Sequence, residues 1–174
     1  GKCACHIFKS PLQYLLLFNC SAMLDIIHRD SRTVAVNKPA GMLVHRSWLD
    51  KHETRFAVQT LRDQIGQHVY PVHRLDRPTS GVLLFALDTE AARLLTQQFE
   101  NKTIEKTYWA IVRGHLPSDG LIDYALKYMP DKIAEAQTEA TLQEAQTAYR
   151  CLAQTELPFQ SALRYPTSRY SWAE

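Results

Sequence analysis

The sequence predicts an α+β fold, a mixed, mainly antiparallel sheet with flanking helices. Three observations carry this. Short runs rich in β-branched and aromatic residues, such as TVAVN at 33–37 and KTYWAIV at 106–112, have the length and composition of strands. Two longer stretches, 56–65 and 88–99, repeat apolar residues at helical spacing. The two kinds of segment do not alternate strictly, as parallel βαβ units would require.

Taken in order, residues 24–27 read as a strand, 28–32 as a polar turn and 33–37 as a second strand. Lys38-Pro39-Ala40-Gly41 ends it, because proline donates no ladder hydrogen bond and glycine permits a tight bend. Phe56, Thr60, Leu61 and Ile65 predict a helix that stops at Gly66. Residues 81–87 form an apolar run with the character of a buried strand. Asp88 then caps a helix whose apolar face is Ala91, Ala92, Leu94, Leu95 and Phe99. A strand over 106–112 ends at Gly114, and PSDG at 117–120 signals a turn. Residues 131–146, rich in Ala, Glu, Gln and Thr, read as an exposed helix or a loose crossover. Strand character resumes at 147–157, and 164–170 leads into another strand begun by 171–174.

Bulk properties bound the function. The 174 residues suffice for one domain with a core, and 45% hydrophobic with 22% charged residues is ordinary for a soluble globular chain. Net charge is only +2, and without Lys2 and Lys9 the remaining basic and acidic residues are equal at 18 each. Attraction to a nucleic acid must then come from a local patch. Cys3, Cys5 and Cys20 fall early and leave only Cys151 in the remainder, so there is no disulfide framework and the expected setting is reducing and cytoplasmic.

Residues 1–22 read as a non-domain extension ahead of Met23. Their apolar run, 14–18, is shorter than a signal peptide's core of about 7–15 residues and far below the roughly 20 needed to cross a bilayer. Cys3, Cys5 and His6 have no second cluster at ligand spacing, so no metal site is expected. The domain is expected to run over residues 23–174.

The most informative run is His73-Arg74-Leu75-Asp76-Arg77-Pro78-Thr79-Ser80-Gly81. One carboxylate stands among groups able to carry positive charge. Nearby cations favour the ionised form, so Asp76 suits a nucleophile or charge stabiliser better than a proton donor. The arginines suit phosphate. The bland alternative is a surface ion-pair cluster at a strand end, which commonly means little. The histidine-arginine-aspartate order of a kinase loop, a second glycosidase carboxylate and a glycine-flanked serine elbow at Ser80 are all missing. Tyr108 equally suits ordinary strand core, Lys38 and Lys106 solvated charges, and Arg74 and Arg77 simple partners of Asp76.

The nine-residue run resembles the signature of the RluA-type pseudouridine synthases. Asn37-Lys38-Pro39-Ala40-Gly41 resembles that family's earlier motif, and Lys106-Thr107-Tyr108 its later lysine-any-tyrosine motif, in the same order. Residues 45–50, 62–69 and 165–170 are similar to a tRNA-directed subgroup. The resemblance covers residues 23–174. It implies the N-terminal half of the synthase catalytic fold and a cofactor-free isomerisation of a specific uridine in tRNA, with an rRNA target as the main competitor. It implies Asp76 as nucleophile, Arg74 as the residue filling the space of a flipped base, Tyr108 as the aromatic packing on that base, and Lys106 and Arg77 in support. The implied partner is tRNA, with no membrane and no obligate protein partner.

The family's further motif, glycine-arginine-any-histidine-glutamine-any-arginine, has no match in these 174 residues. The expectation is therefore a chain truncated at its C-terminus, with little or no activity as an isolated polypeptide. The alternative is an inactive remnant that at most binds RNA.

Overall fold

The computed structural model describes residues 23–45, 54–127, 142–160 and 165–174. The chain divides after Ile104 into two compact units. The first holds a four-stranded sheet, β1 (Asp25–Arg29), β2 (Thr33–Lys38), β3 (Tyr70–Pro71) and β4 (Gly81–Ala86), in the order β1-β2-β4-β3 with every ladder antiparallel. Two helices accompany it, α1 (Ala57–Ile65) and α2 (Thr89–Glu100).

Alternation along the central strands explains the layering. Val34, Val36, Leu83 and Phe85 share one face and are buried with Ala57 and Leu61 of α1. Leu84 and Ala86 face the other way and pack with Ala91, Leu95 and Phe99 of α2. The sheet is thus covered on both sides. Only the far part of β4 is fully buried: Val82, expected inside, is 59% exposed.

The helix ends follow local chemistry. Asp88 accepts a hydrogen bond from the Ala91 N–H, as its N-cap position predicts, and Gly66 takes the left-handed conformation that closes α1. Phe56 caps α1 without a side-chain bond and is itself buried. The first N–H groups of α1, on Ala57 and Val58, donate instead to the carbonyls of Leu43 and Val44. One isolated parallel bridge, Leu43 to Phe56, accompanies that contact.

The second unit holds β5 (Ala110–Arg113), β6 (Asp119–Asp123), β9 (Gln146–Leu157) and β10 (Ser168–Ala173), in the order β5-β10-β9-β6, again antiparallel. β7 (Leu126–Lys127) and β8 (Leu142–Gln143) form a separate two-stranded ladder. On β10, Ser171 is buried and bridges backbone: its hydroxyl donates to the Gly114 carbonyl and accepts from the Leu116 N–H.

Several boundaries differ from the sequence reading: His28 and Arg29, read as turn, pair with Ala35 and Val34 in β1. The strand expected from Lys106 starts at Ala110, because the ladder with β10 spans only residues 110–113. Asp119 and Gly120, read as a turn, pair with Arg150 and Tyr149 in β6. The last strand begins at Ser168 rather than 171. Most of the segment read as a helix or crossover lies outside the described residues, as do residues 1–22.

Candidate active site

Asp76 sits on the loop 72–80 that joins edge strand β3 to β4. The loop is anchored by alternating side chains. Val72 and Leu75 turn into the core at 7% exposure, so Arg74 and Asp76, on either side of Leu75, are presented to solvent. Burying a leucine contributes about 1.5–3 kcal/mol, enough to hold that orientation. The Thr79 N–H donates to the Asp76 carbonyl at 3.0 Å and closes a turn just beyond the carboxylate.

A second set of bonds ties the loop to the turn after β2. The Gly41 N–H donates to the Arg77 carbonyl at 2.7 Å, and Arg77 Nε donates back to the Gly41 carbonyl at 3.2 Å. Gly41 has φ +84, a backbone state that glycine adopts without a Cβ penalty. Lys38 lies at the end of β2, pairing in register with Gly81. Its side chain is fully buried, not solvated as one reading of the sequence had it. Its ammonium donates to the carbonyls of Met42 at 2.8 Å, Pro39 at 3.1 Å and, more weakly, Arg77 at 3.4 Å. Burial pulls Lys38 below its ordinary pKa, while the negative charge of Asp76 acts in the opposite direction. Lys38 therefore places a positive charge beneath the Asp76 loop and ties that loop to the turn over residues 39–42.

Ion pairs elsewhere in the fold include Arg32 with Asp88 and Arg169 with Glu156. A cleft of about 480 Å³ is lined in part by Asn37, Pro39, Gly41 and Arg55, and Asp76 does not line it.

Tyr108 and Lys106 belong to the second unit, on the extended segment that precedes β5. Tyr108 is 51% exposed, so it is not strand core. Its ring is available to a planar partner, and Lys106 beside it is exposed. The structure thus gathers Lys38, Arg74, Asp76 and Arg77 in the first unit and leaves Lys106 and Tyr108 in the second. Lys38 is not legible as part of the site from the residue types alone. Its only signal was the lysine directly before a Pro-x-Gly turn, whose free carbonyls need donors.

A sequence model of the RNA pseudouridylate synthase family matches residues 32–174. The chain belongs to that family. Among curated relatives, it is 63% identical over 150 residues to the tRNA pseudouridine synthase C of Pasteurella multocida (strain Pm70), covering 85% of this chain and 61% of that protein. It is 59% identical over 153 residues to the protein of the same name from Vibrio parahaemolyticus serotype O3:K6 (strain RIMD 2210633), covering 87% and 62%. The chain therefore spans about three fifths of the length of these synthases. Among solved structures it is similar to Human RNA Pseudouridylate Synthase Domain Containing 4, with TM-score 0.59 and 25% identity over 93% of this chain and 62% of that one. The α+β fold with antiparallel sheets is that of a pseudouridylate synthase domain. Among the described residues no helix is long and apolar enough to cross a membrane.

Proposed function

We propose that this chain carries the nucleophile-bearing part of a synthase that converts a specific uridine of tRNA to pseudouridine. The observation that carries the reading is Asp76: an exposed carboxylate on a loop fixed from beneath by Lys38, Gly41 and Leu75. A carboxylate so held can attack a base covalently, and the glycosidic bond is then broken and remade through carbon with no metal or redox group required. The target base must first leave its stack, at a cost of a few kcal/mol. Tyr108 stacks on the extruded base, an interaction worth about 1–3 kcal/mol in single-strand binders, and so offsets much of that cost. Arg74, exposed beside Asp76, occupies the vacated space, and Arg77 and Lys106 support the phosphate-rich partner. The names of the relatives favour tRNA over rRNA as substrate, and a tRNA substrate places the protein in the cytoplasm.

A second reading rests on one observation: the family's arginine-bearing motif is not among these 174 residues. The isolated polypeptide would then bind RNA and turn it over slowly or not at all. One experiment addresses both. The purified chain, in excess, is incubated with tRNA and with rRNA, and pseudouridine and RNA binding are measured for wild type and Asp76→Asn. Binding by both proteins, with pseudouridine appearing only in tRNA and only with wild type, supports the proposed function. Binding without conversion assigns this polypeptide to the second reading. Conversion that survives Asp76→Asn, or occurs in rRNA alone, defeats the proposed function.

A further inference from the structure

His73 opens the Asp76 run and has no role in the proposed chemistry, yet its surroundings are specific. Edge strand β3 pairs with β4 at Tyr70–Ala86 and Pro71–Phe85, and there its ladder stops. The next N–H of β4 on that edge belongs to Leu84. It donates to Nε2 of the His73 ring at 3.0 Å. A side chain thus takes the place that a β3 carbonyl would have held, while the backbone leaves the sheet to present Arg74 and Asp76. The ring is stacked on Phe99 of α2, with centroids 4.7 Å apart and planes 23° from parallel. Val72, just before it, is buried against Ala86 and Ala91.

An N–H pointing at Nε2 requires a lone pair there. The ring in this arrangement is therefore the neutral tautomer with its proton on Nδ1. We propose that His73 is a positioning residue: as that tautomer it fixes the upstream end of the Arg74–Asp76 segment to β4. The Gly41–Arg77 bonds and Lys38 fix the downstream end. Three residues between two anchors leave little freedom for the carboxylate. Misplacing a reacting group by about 1 Å can cost on the order of 100-fold in rate. This goes beyond the proposed function and gains its catalytic meaning from it, but the anchoring itself does not depend on turnover.

The test compares wild type with His73→Phe, which keeps an aromatic face for Phe99 but no acceptor, and His73→Gln, which restores an acceptor at similar reach. Long-range proton–nitrogen NMR reads the tautomer, amide exchange reads the Leu84 N–H, and relaxation reads the order of residues 74–76. The expected result is an unprotonated Nε2 in wild type. In His73→Phe, faster exchange at Leu84 and loss of order confined to 74–76 are expected while Leu83 and Phe85 stay protected, and His73→Gln should recover both. A protonated Nε2, or unchanged order at 74–76 in His73→Phe, overturns the proposal. Should His73→Phe not fold, the wild-type tautomer and the Leu84 exchange of His73→Gln decide. Where the chain turns over, single-turnover rate should fall by on the order of 100-fold in His73→Phe at unchanged tRNA affinity. Failure of Asp76-dependent conversion with the NMR results intact would count against the function and not against the anchor.

Discussion

The side chain that most changes the picture of the Asp76 loop is Lys38. A buried ammonium is tolerated only when its donors are met, and here three carbonyls meet them. Lys38→Met keeps the aliphatic volume but leaves those carbonyls short of a donor. Hydrogen bonds from a charged group are worth about 1.5–3 kcal/mol, so a loss of that order is expected in urea unfolding. An unchanged midpoint would show that the ammonium is not holding the turn. Gly81 gives a second test at the same scale. It has φ +121 at the start of β4, where no atom would obstruct an added Cβ within 4 Å. The cost of Gly81→Ala is then purely conformational, about 1–3 kcal/mol. The composition of the run from His73 to Gly81 was legible in the sequence, and so was the candidacy of Asp76. Which neighbours pair with it was not, because charge proximity along a chain does not say where side chains point.

At the level of elements, helix α2 shows local coding at its clearest. Asp88 caps it and also receives Arg32 Nε at 3.0 Å from the turn between β1 and β2. The hydrogen bond from Arg32 and then that from the Ala91 N–H draw the Asp88 carboxyl from its ordinary value of 3.8 to about 2. A carboxyl depressed in the folded state stabilises the fold above its unfolded pKa, and that stabilisation is lost as pH falls through the folded value. Stability should therefore decline between about pH 4 and pH 2, and Asp88→Asn, which keeps a capping oxygen but not the charge, should flatten that decline in pH-dependent thermal melts. The cap was readable from Asp88 preceding an apolar helical repeat, but its Arg32 partner, 56 residues away, was not. Strand ends were the least legible. Residues 106–109 have strand-like composition, yet β10 offers them no ladder rung. Asp119-Gly120 has turn composition, yet β9 recruits it.

For the whole molecule, the two units differ in how they bury apolar surface. The first encloses its sheet between helices, whereas the second shows exposed side chains on one face: Ile111 at 74% opposite Trp172 at 41%, with Trp109 at 70% edge-on to Trp172. Contiguous exposed apolar surface favours association. Ile111→Lys is expected to reduce concentration-dependent scattering of the purified chain without altering its circular dichroism, and equal scattering would show that this face is not responsible. The sequence by itself determined the fold class, most helix and strand identities, the helix caps and the residue types gathered around Asp76. These depend on periodicity and turn chemistry spanning a few residues. Only the tertiary structure decided that Lys38 is buried and Tyr108 exposed, that His73 takes the Leu84 N–H where β3 ends, and where the strands stop. Those outcomes depend on partners distant in the chain, such as Arg77 for Lys38 and Leu84 for His73, and no local pattern encodes which distant group will arrive.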